Sequence, residues 1–116
     1  MEFINLTPHA IRYQSINGEI KTIPSTGKPA RVEFSQAVEA KSYEEVKVVC
    51  RRKAGKVEGL PEPTPGVYYI VSILVLHEIG YRPDVLAPAT GPDDGAVRFT
   101  DGPQKGQIDY VTRFIA

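Results

Sequence analysis

Val67-Tyr68-Tyr69-Ile70-Val71-Ser72-Ile73-Leu74-Val75-Leu76-His77-Glu78-Ile79-Gly80 is the stretch on which the fold turns. Its first five residues are β-branched or aromatic with no charge among them, the most hydrophobic run in the chain, and they predict the central strand. Ser72 is a residue type favoured before the first turn of a helix, and Leu74, Val75, Leu76 and Ile79 follow at helical spacing up to Gly80. The expectation is therefore strand, cap and short helix. One long strand is the alternative reading.

Upstream, Gly59-Leu60-Pro61-Glu62-Pro63-Thr64-Pro65-Gly66 excludes regular structure, because proline removes backbone donors. Nearer the start, Ala10–Ile16 and Glu19–Ile23 flank Asn17-Gly18, a pair that predicts a hairpin with a type I′ turn. Pro24–Pro29 reads as loop, Ala30–Phe34 as a strand. Tyr43–Arg52 reads as another strand, from the alternation of Val46, Val48 and Cys50. Downstream, Pro83, Pro88 and Pro92 with Gly91 and Gly95 predict one long loop over residues 81–95. Ala96–Phe99 and Ile108–Ile115 read as two final strands. The expected class is α+β, mainly antiparallel β with one short helix, in a single small domain over residues 1–116.

Composition excludes more than it proposes. A chain of 116 residues buries about two-thirds of its extended surface, enough for one core. Fourteen Lys and Arg balance fourteen Asp and Glu. Binding to DNA or RNA as polymers, which needs a cationic face, is not expected. The longest apolar run, Val67–Leu76, is ten residues, against about 20 for a membrane span. MEFINLTPH shows no secretory pattern, so the expected location is cytoplasmic. Cys50 is the single cysteine, which excludes an internal disulfide and a cysteine zinc site; a buried inert thiol is the expected role. Two histidines, His9 and His77, stand in no metal-binding spacing, and no nucleophile elbow or phosphate loop occurs. No cofactor, no metal and no catalytic residue are expected. Arg51-Arg52-Lys53 with Lys56 reads as a solvated strand edge.

The polar features worth weighing lie in loops. Asn5, Thr7 and His9 surround Pro8 in a turn. Their side chains could satisfy the turn's own backbone or face a ligand. Arg82-Pro83-Asp84 could lock its loop by a local ion pair, or present Arg82 to an anion. Ser72, Tyr81, Thr90 and Arg98 complete the set of hydroxyls, rings and guanidinium groups that a nucleotide site draws upon.

Taken together, Ile4-Asn5-Leu6-Thr7-Pro8-His9-x-Ile11, Ile23-Pro24-Ser25-x-Gly27-x-x-Ala30-Arg31-Val32, Gly59-Leu60-Pro61-Glu62-x-x-x-Gly66-x-x-Tyr69-Ile70-Val71-Ser72, Arg82-x-Asp84-Val85-x-x-Pro88-x-Thr90-Gly91-Pro92 and Val97-Arg98 form blocks spanning residues 4–98. They are similar to a widespread family of short proteins from phages and bacterial genomes. Among small phage proteins that counter host defence, the chain resembles nucleotide sponges of the anti-CBASS kind. That resemblance implies stoichiometric sequestration of a cyclic nucleotide in the host cytosol, without cleavage, by a homo-oligomer with ligand at subunit junctions. It implies ligand contacts from Asn5, Thr7, His9, Ser72, Tyr81, Arg82, Asp84, Thr90 and Arg98. The arginines would meet phosphates, Asn5, Thr7 and Ser72 would read base edges or sugars, and Tyr81 would stack. Asp101–Ala116 is longer than the family pattern and reads as a hairpin that alters the oligomer or covers a pocket.

Two other readings belong to different classes. Gly59–Gly66 could dock on a protein, making the chain an inhibitor or virion accessory module. Alternatively His9 or His77 could act as a general base near Asp84 in a metal-free nucleotide enzyme.

Overall fold

The computed structural model describes residues 1–34, 39–49 and 54–116. In chain order the strands are β1 (Glu2–Asn5), β2 (Ile11–Gln14), β3 (Ile20–Ile23), β4 (Arg31–Phe34), β5 (Glu39–Tyr43) and β6 (Val46–Val49). Then follow β7 (Ala54–Glu58), β8 (Val67–Ile70), helix α1 (Ile73–Glu78), β9 (Val85–Pro88), β10 (Val97–Arg98), β11 (Ile108–Tyr110) and β12 (Phe114–Ile115).

The expected central strand is central. Sheet order is β1-β8-β9-β12, with β8 between two parallel neighbours, and β12 antiparallel to β9 at the far edge. Both faces of an interior parallel strand are covered, which is why Tyr69-Ile70-Val71 carries no polar alternation. Ile70, Val71, Val75 and Val85 are fully buried, and Leu6, Ala30 and Leu76 close around them.

Ser72 does start a helix. Its hydroxyl accepts from the Val75 amide at 3.4 Å, and Gly80, at φ 69°, follows the last helical turn. Six residues make no stable helix in water alone. Burial of Val75 and Leu76, worth roughly 2 kcal/mol each, holds α1 on the sheet.

The segment 81–95 departs from expectation. It is not one loop, because Val85–Pro88 forms β9, a strand of the central sheet. Its carbonyl edge is used first: the Tyr69 amide donates to Asp84 (2.8 Å) and the Val71 amide to Leu86 (2.9 Å). Pro88 sits at the strand's end, where its missing N–H costs least. Prolines on both sides masked a strand too short to show a period. Chain geometry β8-α1-β9 is consequently a parallel crossover, so the core sheet is mixed, while the remaining paired ribbons are antiparallel.

The Asn17-Gly18 hairpin forms, with Ile11 opposite Ile23 and Gln14 opposite Ile20. Its turn is not type I′, since Gly18 (φ 86°) has positive φ and Asn17 does not. The Gly18 amide donates to Ser15 at 2.9 Å and the Ser15 amide to Glu19 at 2.8 Å, a type I turn closed by a glycine bulge. Within Tyr43–Arg52 the expected single strand is replaced by the turn between β5 and β6 followed by β6 itself, while Cys50 and Arg51–Lys53 lie outside the described residues. Ile108–Ile115 is broken into β11 and β12 around Val111, whose backbone pairs with Arg12 and Gln14 of β2 (2.9 and 2.8 Å). The last sixteen residues are thus not the expected hairpin: β11 pairs with β10 and β12 with β9, and the segment joins the N-terminal hairpin to the core sheet. Among the described residues no helix is long and apolar enough to cross a membrane.

Candidate functional site

The turn after β1 is built around Asn5. Its side-chain amide donates to the carbonyls of His9 (2.9 Å) and Ile23 (3.0 Å). Its oxygen accepts from the Thr7 amide at 2.9 Å and lies 2.6 Å from the Thr7 hydroxyl. That hydroxyl is also 2.9 Å from the His9 carbonyl and gives its one proton to one of the two. Ser25 donates its hydroxyl to the Thr7 carbonyl at 2.6 Å, tying the turn to the next loop. Asn5 and Thr7 are buried, and both side-chain donors of Asn5 are spent on backbone carbonyls, one in the turn and one at the end of β3. The turn's outward product is His9, which is exposed.

His9 opens onto a cavity of about 600 Å³ between β2 and the chain's last third. Its apolar walls come from Ile11, Pro88, Phe99, Ile108 and Val111. Its polar lining is His9, Arg12, Thr90, Gln104, Gln107 and Asp109. Arg12 and Asp109 form an ion pair across one wall. Arg98 stands behind another, donating to the carbonyls of Gly106 (2.7 Å) and Thr90 (3.3 Å), and so pins the 99–107 loop in place.

Other expected site residues lie elsewhere. Ser72 caps α1 and lines a groove of about 340 Å³ with Pro8, Arg31, Phe34 and Leu74. Tyr81, 80% exposed, shares a cleft of about 240 Å³ with His77 and Arg82. Asp84 borders a third recess beside Tyr68. Arg82 grips Asp84 through two hydrogen bonds (3.1 and 2.7 Å) and donates to the Pro61 carbonyl at 3.1 Å. Those guanidinium hydrogen bonds hold the Asp84 carboxyl below its ordinary range and raise Arg82 further. Of the two roles weighed for this pair, the geometry displays the loop lock, clasping 59–66 to the end of 81–84.

The structure therefore brings His9 and Thr90 onto one cavity with Arg98 hydrogen-bonded to the Thr90 carbonyl beside it, turns Asn5 and Thr7 to backbone partners, and leaves Ser72, Tyr81, Arg82 and Asp84 on other surfaces. His9, His77 and Asp84 border three separate cavities, and the hydrogen-bond partner of the Asp84 carboxylate is Arg82. Among the described residues no three His, Cys, Asp or Glu side chains are grouped to hold a metal. Arg12, Phe99, Gln104, Gln107 and Asp109 line the cavity without having been singled out. Arg12 and Asp109 meet from 97 positions apart, and no local spacing announces such a pair. The only available signal was the tail beyond Arg98, already read as able to cover a pocket.

Compared with family models, curated proteins and solved structures, the chain matches none.

Proposed function

We propose that the chain is a non-catalytic binding protein whose cavity between β2 and the C-terminal segment takes up a nucleotide and holds it without turnover. The observation that carries this reading is the convergence of an apolar floor with amide, guanidinium, imidazole and carboxylate groups on one cavity of about 600 Å³. That volume lies within the range usual for small-molecule sites. Phe99 offers a ring to a base, and Gln104 and Gln107 carry both donors and acceptors for its edge. The His9 imidazole and the Arg12 guanidinium offer N–H donors for phosphate, while Asp109 suits a ribose hydroxyl. The sequence resemblance extends the reading to a phage-encoded sponge that sequesters a cyclic oligonucleotide immune signal, the small anionic partner expected above.

The test is thermal-shift screening against cyclic di- and trinucleotides and cyclic ADP-ribose isomers, with chromatography of ligand released by heat. A shift of several degrees and intact ligand are expected, with the shift lost in Phe99→Ala and Gln107→Ala. Shortened ligand would replace binding by catalysis. No shift with any nucleotide would move the assignment to the protein-binding reading. One observation favours that second reading: residues 61–66 are all exposed and carry three prolines, which restrict the backbone before any partner arrives. It predicts retention of a protein partner that is lost when Pro63 and Pro65 become alanine.

A further inference from the structure

Among the described residues, the β5–β6 hairpin makes extensive contact with no other element. Its strands pair antiparallel, Tyr43 opposite Val46 and Ser42 opposite Lys47, with a register shift between Glu39 and Lys41. A two-stranded hairpin packed on nothing is marginal in water. This one nevertheless exposes Val46 (61%) and Val49 (58%), and its turn holds Glu44 at φ 53°, a conformation uncommon for a residue with a side chain. The tip is acidic and apolar together: Glu44, Glu45, Val46.

Its complement lies on the same chain. The groove between α1 and β4 is floored by Leu6, Ala30 and Val75, rimmed by exposed Phe34 (45%) and Leu74 (58%), and carries Arg31 at its edge. The molecule as a whole is drawn out, with a radius of gyration of 17.3 Å and 8458 Å² of surface. A compact chain of this length would show about 13 Å and about 6,300 Å². The excess is larger than the roughly 800 Å² each partner gives to a stable interface.

We infer that this surface is a self-association site: two copies exchange β5–β6 hairpins, each seating Val46 in the partner's α1–β4 groove with Glu44 and Glu45 against Arg31. A second copy is the occupant that fits because one chain carries both halves. A twofold axis then satisfies hairpin and groove in two identical contacts, whereas a different partner would leave one half uncovered. A formal net charge of zero adds no long-range repulsion between copies. The ligand cavity shares no lining residue with this groove, so the inference stands apart from the proposed function.

Sedimentation equilibrium of the whole chain over a concentration series tests it. The expected result is a dimer whose dissociation constant rises about tenfold or more in Val46→Asp and, independently, in Leu74→Asp, with far-ultraviolet circular dichroism unchanged. Arg31→Glu and the pair Glu44→Arg, Glu45→Arg should each weaken the dimer, and their combination should restore it. A wild-type chain that is monomeric at every concentration overturns the inference. So does a dimer indifferent to Val46→Asp and Leu74→Asp, or one that the combined charge reversal fails to restore.

Discussion

Asn5 shows how much one buried amide can organise. It replaces water for the His9 and Ile23 carbonyls and the Thr7 amide, and it does so from a residue only 1% exposed. Asn5→Ala strands those groups in the interior and is expected to cost about 2–4 kcal/mol by urea titration. The polar character of this turn was legible in sequence; the direction its side chains face was not, because Asn is equally suited to a ligand and to its own backbone. Gly59 makes the complementary point. At φ 82° it closes on the Pro29 carbonyl, which a Cβ would approach to 3.3 Å. Gly59→Ala should therefore destabilise by about 1–2 kcal/mol in the same titration, through left-handed backbone strain and crowding together.

Among elements, β9 and the Arg82–Asp84 clasp are inseparable. Asp84 supplies the carbonyl that receives the Tyr69 amide, and its carboxylate is the anchor for Arg82. The two side chains are 23% and 16% exposed, so the pair is only partly screened. Because folding lowers the Asp84 pKa, the clasp's contribution is complete above the ordinary aspartate range, about 4. It is lost as pH falls through the depressed folded value. Asp84→Asn should cost about 1–2 kcal/mol at neutral pH. Its stability should converge on that of the wild type in acid, as read by urea titration across pH. Helix α1 behaved as its cap and stop residues indicated. β9 did not, since a three-residue apolar step between prolines carries no period to read.

For the whole molecule, the C-terminal segment is what makes one body of several ribbons. Val111, 2% exposed, bridges to β2, and the Ala89 amide donates to Arg113 at 3.1 Å beside the β9–β12 pairing. A chain ending at Phe99 loses both links and five of the twelve residues that line the cavity. It should lose its cooperative transition in differential scanning calorimetry, along with every ligand-induced shift. Retention of a sharp transition would mean that the segment is an accessory and not part of the core.

The sequence by itself determined the features whose causes lie within a few residues. The Asn17-Gly18 reversal, the strand Val67–Ile70, the Ser72 cap and the Gly80 stop each depend on local dihedral preference and on the spacing of apolar side chains. Only the tertiary structure decided that β8 has parallel neighbours on both sides, that β9 exists, and that Arg12 meets Asp109 across the cavity. Those outcomes rest on pairing between segments far apart in the chain. Burial of the shared core favours them, and no local pattern of residues records which distant strand will lie alongside.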